Sequence, residues 1–82
     1  MPYYSYVLRS LTKGILYKGF TQEIEKRLLV HNQGLVKYSS KQVPWELVLT
    51  EEFLNRSEAA KREKWHKNGV GREWIKRQLA EG

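Results

Sequence analysis

The sequence predicts a small α+β domain, a three-stranded sheet flanked by helices in the element order ββαβαα. Three observations predict it. Residues 3–8, 15–20 and 45–53 are short runs rich in aromatic and β-branched side chains, the composition of strands. Three other stretches carry apolar residues at helical spacing. The 82 residues hold no repeat, linker or low-complexity tract, so residues 1–82 are expected to form one domain with a compact core.

Along residues 3–8, Tyr4, Tyr6 and Leu8 share one face, and Tyr3, Ser5 and Val7 share the other. Ser10-Leu11-Thr12-Lys13-Gly14 reads as a turn in which Gly14 can take positive φ. Residues 15–20 then return as the second strand of a hairpin. The expected register pairs Tyr6 with Tyr17 and Leu8 with Ile15, which puts both hydroxyls and Gly19 on one face. A glycine inside a strand marks close approach of a ligand or another backbone. Thr21 is the expected N-cap of a helix over residues 22–31, with Glu23 and Glu25 near its positive end. Asn32-Gln33-Gly34 stops that helix. A polar, basic loop over residues 35–43 leads to Pro44, which opens the third strand where no ladder donor is missed. Trp45, Leu47, Leu49 and Phe53 recur there with period two. Asn55 or Ser57 starts a second helix that runs to about residue 67, and Asn68-Gly69 ends it. A last helix runs from about residue 71 to 79, with Trp74, Ile75 and Leu79 as its apolar stripe.

Composition narrows the function. There is no cysteine, which excludes disulfides and thiolate metal sites together. Three Trp, five Tyr and two Phe supply the apolar area a small core needs. No apolar run is long enough for a membrane-spanning helix, and residues 1–10 lack the pattern of a signal peptide, so a cytoplasmic location is expected. Fifteen Lys and Arg against nine Asp and Glu give a net charge of +6. The surplus lies in residues 1–32 and 56–82 and forms no tail. Such a balance suits a polyanionic partner, nucleic acid above all, although ordinary solvated lysines produce the same arithmetic.

Polar residues on the core-facing stripes are the sharper signal. On a helical wheel His31 falls beside Ile24 on the stripe that Ile24 and Leu28 form, and Arg27 falls at its edge. An Arg there needs a partner or must snorkel to water. On the second helix Glu63 falls between Ala59 and Ala60, the small residues that allow close approach to the sheet. An exposed Glu63 paired with Lys67 at i+4 is the plainer alternative. Glu63 and His66 also have Glu-x-x-His spacing, but this chain lacks the four helices and further ligands of a di-metal bundle. His66 is expected at the surface or rim, and all three Trp in the core.

Taken together, Tyr4-Ser5-Tyr6, Tyr17-Lys18-Gly19, Arg27, His31 and Glu63 resemble the GIY-YIG nuclease superfamily. The first tripeptide keeps only the Tyr of Gly-Ile-Tyr, and Lys18 stands where the second has Ile. The interval from Tyr6 to Tyr17, the Arg ten residues after Tyr17, and the Glu of Ser57-Glu58-Ala59-Ala60-Lys61-Arg62-Glu63 fit the family's spacing. Lys37-Tyr38 and the segment Pro44-Trp45-Glu46-Leu47-Val48 are similar to the small single-domain UPF0213 or YhbQ-like branch, itself akin to the nuclease domain of the excision-repair protein UvrC. The resemblance spans about residues 3–67.

The resemblance implies a three-stranded antiparallel sheet flanked by helices. It also implies a metal-dependent endonuclease that hydrolyses phosphodiester bonds in DNA, in repair or recombination, with one divalent ion, Mg²⁺ or Mn²⁺. Tyr17 would be the general base or would position the attacking water, and Tyr6 would hydrogen-bond the site or the phosphate. Arg27 would stabilise phosphate charge, His31 would assist proton transfer or orientation, Glu63 would hold the metal, and Gly19 is the motif glycine. A phenol near pKa ~10 is a weak base unless positive charge lies close, so Arg27 or metal-bound water is expected beside Tyr17. Lys18, Lys37, Lys41 and Arg62 are candidate phosphate ligands, and Tyr38 or a Trp a candidate stacking surface. The alternative is a non-catalytic nucleic-acid-binding module on the same fold. A pure binder has no need to bring Tyr6, Tyr17, Arg27 and Glu63 together.

Overall fold

The computed structural model describes residues 1–81. Strands β1 (Tyr3–Ser10), β2 (Leu16–Thr21) and β3 (Trp45–Phe53) form one antiparallel sheet in the order β2-β1-β3. The helices are α1 (Ile24–Asn32), between β2 and β3, and α2 (Arg56–His66) and α3 (Gly69–Glu81) after β3. A single 3₁₀ turn, Ser40–Gln42, interrupts the loop before β3. The expected architecture and element order are those observed.

The hairpin register is shifted from the expected one. Tyr6 faces Gly19, and Leu8 faces Tyr17. The cause is a tighter turn. Ser10 N–H donates to the Ile15 carbonyl and Gly14 N–H to that of Ser10, each at 2.9 Å, with Gly14 at φ +73°. Because the shift is two residues, Tyr6, Tyr17 and Gly19 still share a face.

A bulge between Val7 and Leu8 changes β3 more. Val7 pairs with Leu49 and Leu8 with Leu47, so Val48 is extra. The period-two set is thereby split: Trp45 and Leu47 lie on the Tyr6/Leu8 face, while Leu49 and Phe53 lie on the Val7 face. Glu51 also moves to the Val7 face, opposite Ser5.

One face carries the core of Tyr6, Leu8 and Trp45, with Tyr17, Ile24, Leu28 and Val43 packed around it under α1. The other face is covered by α2, whose buried Ala59 allows the helix to approach the sheet, and α3 packs on α2 with Ile75 buried. Trp45 is buried as expected, but Trp65 and Trp74 are half-buried between α2 and α3.

Helix boundaries follow local chemistry. Thr21 ends β2, and its hydroxyl accepts from Glu23 N–H at 3.1 Å, so it forms a turn and is not the cap of α1. Glu23 stands at the N-cap position of α1 without a side-chain capping bond. Asn55 rather than Ser57 caps α2, accepting from Glu58 N–H at 3.0 Å. Asn68 accepts from Gly71 N–H at 2.9 Å and so starts α3. Any side chain at Gly71 would collide with the Trp65 carbonyl, so the α2–α3 corner requires glycine there.

Candidate active site

Strand β2 is an outer strand, and its free edge is where the two faces of the sheet meet. A cleft of about 180 Å³ opens there, lined by Tyr6, Tyr17, Lys18, Gly19, Phe20, Arg27, Glu63 and Lys67. Tyr6 and Tyr17 come from the α1 face and Arg27 from α1. Glu63 reaches the cleft from α2, on the opposite face. The four groups that the sequence singled out therefore converge on one edge.

Tyr6 reaches the edge by lying across Gly19. A Cβ at Gly19 would stand 2.5 Å from the Tyr6 hydroxyl oxygen and 2.6 Å from Cζ. What approaches this glycine closely is a tyrosine side chain and not, as expected, another backbone. The rings of Tyr6 and Tyr17 stack at 6.4 Å, and Tyr17 meets His31 edge-on at 4.6 Å.

His31 is fully buried and anchors the phenols. Its Nδ1 lies 2.7 Å from Ser39 Oγ, and its Nε2 lies 3.2 Å from the Tyr6 hydroxyl. Ser39 Oγ donates to the Val36 carbonyl at 3.4 Å, which leaves it to accept from His31 Nδ1–H. Nε2 then accepts from the Tyr6 hydroxyl. Ser39 is held in turn by its own carbonyl, which accepts from Trp45 Nε1 at 3.0 Å. Next along α1, Asn32 clamps the start of β3, accepting from Trp45 N–H at 2.6 Å and donating to its carbonyl at 3.0 Å. The polar pair at the end of α1 thus fixes both the imidazole and the strand beneath it.

Electrostatics follow from this packing. Burial pushes the Tyr6 phenol above its ordinary value, against the opposing influence of Arg27. The hydrogen-bonding approach of that phenol raises Arg27, which stays charged. Burial, and then the Arg27 charge, lower His31, so the imidazole is neutral near pH 7. Arg27 itself is exposed, as a group must be that meets a ligand from solvent. Lys18 sits on the α2 side of the same edge, its charge disfavoured by burial and then by Arg72 and Lys67.

Glu63 is 15% exposed at its side chain and in direct ionic contact with Lys67. The inward placement and the i+4 ion pair, alternatives in the sequence, are both present. Among the described residues no group of three or more His, Cys, Asp and Glu side chains gathers for a metal. One carboxylate beside a solvent-open cleft still fits Mg²⁺, which keeps several waters and shares ligands with substrate phosphate. The contact with Lys67 shows that the Glu63 carboxylate accepts a cation at this position.

Other expectations change. Arg62 is not free for phosphate. Its Nε and Nη2 donate to Glu51 at 2.9 and 3.1 Å, and its guanidinium lies over Trp65 and Trp74 at 4.1 and 4.6 Å. The bulge in β3 brings Glu51 there. His66, expected at the rim, is buried, stacked on Trp74 and 3.2 Å from Glu51 Oε1, because α3 closes over it. Lys37 and Lys41 are exposed in the loop before β3 and do not line the cleft. Tyr38 is exposed and joins Leu16, Tyr17, Lys18 and Lys67 around an adjoining hollow of about 400 Å³. Ser39 was not singled out from the sequence. A lone serine in a polar loop carries no periodic signal, and only the folded loop brings it to His31.

An antiparallel β2-β1-β3 sheet with paired phenols, a guanidinium and a carboxylate at its open edge defines the class. The chain belongs to the GIY-YIG catalytic domain family, whose model matches residues 2–76. Members of this family are generally nucleases, acting on nucleic acid and typically using a divalent metal. Its relatives include the UPF0213 protein YsiG of Lactococcus lactis, 37% identical over 71 residues, which cover 85% of this chain and 67% of that one. A UPF0213 protein of Staphylococcus saprophyticus is 42% identical over 62 residues, 74% of each chain. The solution NMR structure of the UPF0213 protein BH0048 from Bacillus halodurans has a similar fold. It aligns with a TM-score of 0.54 and 29% identity, over 92% of this chain and 82% of that one. No described helix is long and apolar enough to cross a membrane.

Proposed function

We propose that this domain is a metal-dependent endonuclease that hydrolyses phosphodiester bonds in DNA. The observation that carries the proposal is the convergence of Tyr6, Tyr17, Arg27 and Glu63 on one cleft at the β2 edge. A scissile phosphate in that cleft meets Arg27, whose planar, permanently charged donors match phosphate oxygens and whose charge opposes that of the transition state. Tyr17, beside Arg27, positions the attacking water and, as the phenolate, takes its proton while the P–O bond to the leaving strand breaks and solvent protonates the departing oxygen. Tyr6 stays a phenol because burial disfavours its anion, and it serves as an oriented hydrogen-bonding group held by His31. The neutral imidazole, fixed by Ser39, holds the Tyr6 proton at Nε2. Glu63 would hold the divalent ion, which when bound supplies Lewis-acid charge at the phosphate. Lys18, beside the cleft, suits a flanking phosphate.

The test is incubation with end-labelled single-stranded, duplex and branched DNA, with and without Mn²⁺. Cleavage by the parent and none by Tyr17→Phe supports the proposal. Binding without turnover on every substrate would leave a binding module on the nuclease fold.

A further inference from the structure

The last turn of α2 brings a second functional group to the cleft. Lys67 is the C-cap residue of α2, one turn beyond Glu63. Its ammonium touches the Glu63 carboxylate, yet the two side chains differ sharply in freedom. Glu63 is 15% exposed and set in the cleft wall, whereas Lys67 is 58% exposed at a helix end. The carboxylate is the fixed member and the ammonium the movable one. Lys67 also lines both hollows. It borders the cleft with Tyr6, Arg27 and Glu63, and the adjoining one with Leu16, Lys18 and Tyr38. Lys18, Lys67 and Arg72 crowd like charge on this side, which an anion would relieve.

We propose that Lys67 is a placeholder cation. It occupies the Glu63 carboxylate until a divalent metal displaces it, and the released ammonium then turns into the adjoining hollow to hold a substrate phosphate beside Lys18. An ammonium in contact with the Glu63 carboxylate repels a divalent ion on the same group, so metal binding favours the exchange. A lysine stem is long and flexible enough to make it without moving the helix. Metal binding at one site thereby prepares phosphate binding at the next. The inference rests on Glu63 as the metal ligand.

The experiment titrates Mn²⁺, followed by calorimetry, into the parent, Lys67→Met, Lys67→Arg and Glu63→Gln, each checked for folding by circular dichroism. Lys67→Met should bind Mn²⁺ about fivefold tighter, the scale of one partly exposed ion pair, and Lys67→Arg should match the parent. An ordinary helix-stabilising pair would lower stability in Lys67→Met without tightening the metal. Unchanged or weaker Mn²⁺ binding in Lys67→Met, with binding lost in Glu63→Gln, overturns the placeholder and leaves the metal ligand standing. Parent-like binding in Glu63→Gln overturns the ligand assignment itself. In a Tyr17→Phe background, Mn²⁺ should tighten binding of a fluorescent oligodeoxynucleotide, and adding Lys67→Met should shrink that gain to the part the ion itself supplies. A gain undiminished in Lys67→Met overturns the phosphate role.

Discussion

Gly19→Ala gives a prediction whose sign separates local propensity from this structure. In a strand interior, Ala is favoured over Gly by about 0.5–1 kcal/mol, because glycine has more freedom to lose on folding. Here the new methyl meets the Tyr6 phenol at 2.5–3.0 Å. Tyr6 is only 3% exposed, and Tyr17 and His31 stand around its ring, so it has little room to retreat. Overpacking of this kind costs about 1–3 kcal/mol. Displacing the hydroxyl from His31 Nε2 adds about 1 kcal/mol more. The net expectation is a loss of about 1–3 kcal/mol and a fall in melting temperature of several degrees, since each 1 kcal/mol corresponds to about 4–8 °C in a domain of this size. Thermal unfolding followed by circular dichroism measures it. The loss should shrink when Tyr6→Phe removes the nearest clashing atom. A Gly19→Ala protein as stable as the parent, or more so, would refute the close approach on which the placement of Tyr6 depends.

Other expectations follow from the same cleft. Arg27→Ala should slow cleavage by about a hundredfold or more with a smaller loss of DNA affinity, measured by comparing single-turnover rates with binding anisotropy. Glu63→Ala should abolish metal-dependent cutting while circular dichroism stays native. Both buried histidines titrate below their usual value of 6.5. The unfolded chain therefore takes up protons that the folded chain refuses, so stability is retained above about pH 6.5 and lost as the pH falls below it. Urea unfolding at a series of pH values tests this, and replacing both His31 and His66 by Gln should flatten the acid-side slope. DNA affinity should fall steeply and log-linearly with salt if Lys18, Lys67 and Arg27 neutralise phosphates. A flat response would refute the basic-edge interface.

Much of this was legible in the residue order because the relevant signals are local. Strand composition, Gly14 in a turn and helical spacing locate the elements. The placement of His31, Arg27 and Glu63 on inward or edge positions also follows from helix periodicity. What was not legible depends on pairing between distant segments. Nothing near Val48 announces the bulge, which arises only when β3 meets β1, yet it sends Glu51 to the face where Arg62 and His66 wait. That one extra residue draws Arg62 away from the candidate phosphate ligands and gives His66, buried beneath α3, a carboxylate neighbour. The hairpin register likewise depends on how Ser10, Gly14 and Ile15 close the turn. Ser39 becomes visible only when the loop after α1 folds back under Trp45.

In the proposed function the phenols, the guanidinium and the carboxylate at the β2 edge form one hydrolytic centre. The most direct measurement is Mn²⁺-dependent cleavage of end-labelled DNA by the parent protein beside Glu63→Ala and Tyr17→Phe, all at equal concentration. The expected result is defined shorter products from the parent and intact DNA from both variants. Equal product from parent and variants, or intact DNA in every lane across single-stranded, duplex and branched forms, would contradict it.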